Sequence, residues 1–198
     1  PAVPQLVVAT VGGEPVADGG YGAALLLDGF ALLGRSDLRA TEETLRRWMT
    51  AAALVRPAAT GGTVVVSADA GLPTVQALIR WDAVGHATAE LAARRELGFP
   101  PAAVMASIVG GEAAVGAALR ELALPPAADV LGPVPVEDVP SAGAARPVET
   151  EPTVRALIRV PLADRKALAA AVRGLAVRRS LVKDNPPLRL QLDPTELG

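Results

Sequence analysis

Apolar residues recur along this chain in two rhythms, one suited to strands and one to helices. Short β-branched or leucine-rich runs at residues 6–10 (LVVAT), 23–27 (AALLL) and 63–68 (TVVVSA) fit buried strands. Gly12, Gly13, Gly19, Gly20 and Gly22 occupy the loop between the first two. From about Thr41 the rhythm changes, and Leu45, Trp48, Met49 and Ala52 stand at i, i+3, i+4 and i+7, one side of a helix. Trp48 and Met49 therefore read as core. A second helix is expected over residues 72–81. Strand, loop, strand, helix, strand and helix in succession predict a parallel α/β layer.

Residues 90–101 (ELAARRELGFPP) close that layer. Ala87 and Leu91 continue an apolar stripe from Val84, with Arg94 and Arg95 facing outward. Gly98 supplies a left-handed exit, and Pro100 and Pro101 cannot continue a helix. The expected domains are therefore 1–99 and 100–198. In the second, strands are predicted at 104–109, 130–134, 154–160 and 188–192, and helices at 112–122 and 162–181. Residues 135–152 form a loop rich in Pro, Glu and Gly with no apolar period. Strand-helix-strand twice over is a split βαβ pattern, which gives a small α/β domain with a four-stranded sheet.

Charge sharpens this outline more than composition does. Apolar residues make up 51% of the chain but aromatics only 3%, so the cores must be built from Ala, Val and Leu. Arginine outnumbers lysine seventeen to two, which fits a GC-rich genome. The absence of cysteine excludes disulfides and thiolate metal sites. No apolar run reaches the roughly 18 residues of a membrane helix, and no basic-then-apolar leader opens the chain, so a cytoplasmic protein is expected. The net charge of −2 hides an asymmetry. Residues 153–190 hold nine Arg and Lys against two Asp, whereas residues 100–152 hold two Arg against seven acids. Such a split suggests one surface for a polyanion.

Period two places Arg155 and Arg159 on one face of their strand. On the following helix, Leu168, Ala171, Val172 and Leu175 share one arc, while Arg165, Lys166 and Arg173 share another. Arg178, Arg179 and Lys183 come at the helix end, where cations also complement the dipole. These eight cations are the candidate DNA-binding residues, meeting phosphates without reading bases. A solvated basic face is the plain alternative. No aromatic follows Phe99, so base stacking on aromatic rings is not expected in this domain.

Catalytic chemistry finds little support. No stretch has the spacing Gly-x-x-x-x-Gly-Lys-Ser/Thr, and residues 1–99 contain no lysine, so a phosphate-binding loop is not expected. His86 is the only histidine and has no nucleophile or metal-ligand pattern around it, and Asp28 reads as an ordinary loop acid after a strand. No catalytic or metal-binding residue is assigned.

Four stretches in order resemble the PriA family, the primosomal protein N-prime group of replication-restart factors. Residues 90–101 resemble its hinge and 72–82 (LPTVQALIRWD) the helix before it. Residues 130–135 (VLGPVP) resemble its Leu-Gly-Pro strand, and 190–197 (LQLDPTEL) its closing segment. The resemblance implies a C-terminal fragment: the end of a RecA-like helicase lobe, then the family's C-terminal domain. It further implies forked or single-stranded DNA as ligand, with single-stranded DNA-binding protein and primosome or helicase-loading proteins as partners near the nucleoid. The family binds ATP and zinc through regions outside this fragment, which itself is expected to hold no cofactor.

Two helicase motifs of the family are altered. Residues 6–28 lie over helicase motif V, where Ala9-Thr10-Val11 and Asp18-Gly19 replace the family's Gly-Thr-Gln and Lys-Gly. Motif VI, Gln-Val-Ala-Gly-Arg-Ala-Gly-Arg in the family, reads TAAALVRP over residues 50–57, with Arg56 one place off register. An arginine finger is worth roughly 10³ to 10⁵ in rate, so the lobe is expected to fold without hydrolysing ATP. A third alteration lies outside the helicase motifs: the family's Arg-Tyr-Arg run gives way to the acidic 135–152 stretch, whose only cation is Arg146. The reading is a restart factor that recognises fork structure without unwinding it. Two alternatives stand beside it: an active ATP-dependent 3′–5′ DNA helicase whose motor motifs lie outside the fragment, and a docking module for an acidic partner tail.

Overall fold

The computed structural model describes residues 5–136, 152–182 and 186–195. The chain forms two compact units, Pro1–Glu90 and Leu91–Gly198.

In the first unit, β1 (Ala23–Leu26) pairs in parallel with β2 (Thr63–Val66), Ala23 opposite Thr63. Between them run a short α1 (Gly29–Leu33) and α2 (Ala40–Ala52), and α3 (Pro73–Arg80) follows. Pro73 opens α3 where a missing N–H costs nothing, and Trp81 ends it in the left-handed region at φ 55°. Leu45 and Trp48 of α2 meet Val75, Ala77 and Leu78 of α3 in the core, with Leu26 and Val66 of the strands against it. The buried side of α2 is rotated from the expected stripe: Thr44, Leu45, Trp48 and Ala51 are inside, while Met49 and Ala52 are half-buried. The indole Nε1 of Trp48 is buried without a partner among the described residues. Its cost of about 1–3 kcal/mol is borne by the apolar contacts of the ring.

The strand expected at residues 6–10 does not form. Leu6 and Val8 are 92% and 89% exposed, and the segment runs into a turn closed by Gly13 N–H donating to Thr10 O at 2.8 Å. β-branched residues favour extension, but a strand needs a neighbour to complete its ladder, and among the described residues none pairs with this segment.

Helix α4 (Ala83–Leu97) also departs from its pattern. Val84 is 79% exposed and Ala87 is exposed, whereas His86 and Arg94 are buried. His86 stays inside because its Nε2 lies 3.3 Å from the hydroxyl of the buried Thr74. Arg94 donates to Pro100 O at 3.4 Å, and its own carbonyl accepts from Phe99 N–H at 2.8 Å. Buried polar groups with partners are tolerated, so polarity alone misplaced this face.

The second unit is the split βαβ unit the pattern predicts. Its strands are β3 (Ala103–Gly111), β4 (Asp129–Pro135), β5 (Thr153–Pro161) and β6 (Leu188–Leu192). They form one antiparallel sheet ordered β4-β5-β3-β6. Helices α5 (Glu112–Glu121) and α6 (Arg165–Ser180) follow β3 and β5. Val115 and Ala118 of α5 and Leu168, Val172 and Leu175 of α6 cover Ala106, Ile108, Ala156, Ile158 and Val160. Both helices therefore lie on one face of the sheet. A bulge separates Leu131 from Val134 on the edge strand β4, where the Gly132–Pro133 bond is cis.

Candidate nucleic-acid interface

The alternation along β5 decides where its two arginines go. Val154, Ala156, Ile158 and Val160 are buried against α5 and α6, so Arg155 and Arg159 stand on the opposite face of the sheet. The cations of α6 ride on the helix that covers the other face. The basic stretch is continuous in sequence but divided by the sheet in space.

On α6, Lys166 and Arg173 are exposed on the side away from Leu168, Val172 and Leu175. Arg165 is exposed on the flank, with its Nη1 3.4 Å from Leu162 O. The two arginines of the last turn are tied into the domain: Arg178 Nη2 donates to Glu121 O at 3.2 Å, and Arg179 Nη2 to Pro186 O at 2.8 Å. Lys183 lies outside the described residues, as do Arg146 and most of the acidic 135–152 stretch. Val177, Leu181 and Val182, 54%, 80% and 57% exposed, add an apolar element at this end.

Arg159 does structural work. Its Nη2 meets Asp129 Oδ2 at 2.8 Å and its Nη1 donates to Leu97 O at 3.2 Å, so it joins β4 to the end of α4. A cation on a C-terminal carbonyl also complements the helix dipole. Arg155 sits two rows further along the same face, beyond Leu157, opposite Val109 on β3 and Val134 on β4.

The model of the family described as primosomal protein N C-terminal domain matches residues 95–195, about half of the chain. Curated relatives extend the likeness to the whole of it. A probable replication restart protein PriA of Mycobacterium leprae is 53% identical over 201 residues, covering 100% of this chain and 30% of its own length. The protein of the same name from Mycobacterium tuberculosis is 50% identical over 207 residues, 100% of this chain and 31% of its own. This chain belongs to the PriA family. It spans about a third of the length of those PriA relatives.

Within this PriA-family chain the family match begins in the last turn of α4 and includes the whole antiparallel sheet. Ahead of it, Arg56 is exposed beside the glycine loop that leads into β1. Its N–H donates to Tyr21 O at 2.9 Å, and a Cβ on Gly22 would fall 3.0 Å from its Nη2. That is the amino end of the parallel pair, whereas α/β sheets gather ligands at the carboxyl end. Asp28 is at the carboxyl end, exposed and left-handed at φ 58°. His86 is a buried structural residue. Among the described residues no group of three or more His, Asp or Glu could hold a metal ion, and no helix is long and apolar enough to cross a membrane.

Two cations escaped the sequence reading. Arg94 was expected outside but is buried, visible only through the turn it stabilises. Arg189 was counted in the basic stretch but not assigned to a face. Strand register places it opposite Val109, on the side of the sheet away from α5 and α6.

Proposed function

We propose that this chain is the C-terminal part of a PriA-type replication-restart factor that holds forked DNA through backbone contacts and does not unwind it. The likeness of the whole chain to proteins named probable replication restart protein PriA carries this reading. The exposed cations of α6 support a phosphate-binding role. The parallel pair with its helices is read as the end of a RecA-like lobe, retired as a motor because Arg56 alone remains of the motif VI arginines and sits at the amino end of the strands. Single-stranded DNA-binding protein and helicase-loading proteins are the partners this role implies, and the nucleoid is where it would act.

Fluorescence anisotropy of a forked oligonucleotide across a salt series tests the DNA reading. Each phosphate contact contributes about −0.7 to −0.9 to the slope of log K against log salt. Changing Arg165, Lys166 and Arg173 together to Gln should flatten the slope by about two, with the thermal melt nearly unchanged because all three are exposed. An unchanged slope moves the site elsewhere. A second reading, a docking surface for an acidic tail, draws on the exposed Val177, Leu181 and Val182 beside those cations. An acidic peptide with apolar residues that displaces DNA from the unaltered chain but not from the triple variant favours it.

A further inference from the structure

The sheet of the second unit ends on two edges that differ. On β4 the edge is blunted: Pro133 and Pro135 lack the N–H that a further strand would need, and a bulge interrupts the ladder between Leu131 and Val134. β6 carries no proline, and its register against β3 runs unbroken from Leu188 opposite Gly110 to Leu192 opposite Ala106. Asp193 N–H donates to Met105 O at 2.8 Å, one pair beyond that ladder. Hydrogen-bonded pairs alternate along an antiparallel ladder, so Gln191 and Arg189 turn their backbone groups to β3. Leu188, Leu190 and Leu192 turn theirs outward, where no strand among the described residues pairs with them. Side chains follow the same alternation. Leu188 and Leu190 pack against the core, and Leu192, on the same side, is 42% exposed. Arg189 and Gln191 lie opposite Val109 and Ser107 on the other face.

We propose that β6 is a self-association edge, on which β6 of a second copy pairs antiparallel about a two-fold axis through Leu190. This inference stands apart from the DNA reading. The strand LRLQL is complementary to its own reverse. Leu190 meets Leu190 of the second copy, and Leu188 meets its Leu192. These are the positions whose N–H and C=O groups point outward, so each pair exchanges both of its hydrogen bonds. Arg189 falls opposite Gln191 of the second copy, whose amide oxygen accepts from a guanidinium, and the axis repeats the contact. Register is selective. Sliding the strands by two residues in one direction sets Arg189 against Arg189 of the second copy, a like-charge pair. Sliding them the other way sets Leu188 against Pro194, which has no N–H to give. Paired residues share a side, so the leucines of both copies form one continuous apolar strip. A seam this short buries less than the roughly 1,200 Å² of stable complexes, so the dimer forms at concentrations on the order of 100 µM.

The test is sedimentation equilibrium of the full 198-residue chain without DNA. The mean mass should rise from that of one chain toward that of two between about 10 and about 500 µM. Gln191→Glu sets a carboxylate opposite each Arg189 and should tighten association about fivefold, whereas Gln191→Arg should loosen it about tenfold. Cross-linking reads the register, because the chain has no cysteine of its own. A chain with Arg189→Cys mixed with one bearing Gln191→Cys, under oxidised glutathione, should yield a disulfide-linked pair about tenfold faster than either chain alone. Only the mixture brings the two thiols to directly opposed positions, about 4.5 Å apart at Cα. The mass of a single chain at every concentration overturns the proposal. So does a dimer indifferent to both Gln191 variants, which places the contact on another surface. Equal cross-linking in all three samples overturns the register.

Discussion

At Gly98 φ is +67°, and a Cβ built there falls 2.9 Å from Nη1 of Arg159. Gly98→Ala should therefore cost about 1–2 kcal/mol, from the left-handed backbone and from pushing Arg159 off Leu97 O. Urea denaturation reads this directly, and a loss below about 0.3 kcal/mol would show the turn relaxing freely. Glu43 poses a different question. Arg46 and then Arg47 hydrogen-bond its carboxylate at 2.7 and 2.6 Å and hold its pKa down to about 2, from the ordinary 4.5. Because the folded value is depressed, the stabilisation is present above about 4.5 and is lost as pH falls toward about 2. The pair is near the surface, so the effect should stay below about 1 kcal/mol. Glu43→Gln should lower the melting temperature slightly at pH 7 and narrow the gap to the parent at pH 3. Equal gaps at both values would remove Glu43 from the acid response.

The link between the two units is an element-scale feature. The sequence suggests a seam at Gly98–Pro101, but the compact second unit begins at Leu91, inside α4. The last turns of α4 supply Arg94 for Pro100 O and Leu97 O for Arg159. A chain starting at residue 91 should therefore melt cooperatively, and one starting at residue 100 should melt lower or not cooperatively, as calorimetry would show. Matching transitions would make that turn dispensable. In the second unit β5 and β6 were legible because their apolar residues recur at period two, and α5 and α6 because each has an apolar arc. Residues 6–10 had strand composition but no neighbour, and α4 buried a histidine and an arginine. Both errors arise where tertiary partners, not local pattern, set the outcome.

For the whole molecule the sharpest question is whether a PriA-type protein with this motif VI still burns ATP. A full-length protein carrying this segment should show no DNA-stimulated ATPase above background, and turnover near 1 s⁻¹, inside the usual enzyme range, would revive the helicase reading. By itself the sequence determined the family, through ordered motifs, and the split βαβ order, through alternating apolar periods. It also carried the charge asymmetry between residues 100–152 and 153–190. Only the tertiary structure decided which cations share a surface. Neighbouring positions in a sequence diverge when a sheet lies between them, which sends Arg155 and the α6 cations to opposite faces. Distant ones meet through strand pairing, which sets Arg189 in the same row as Arg155.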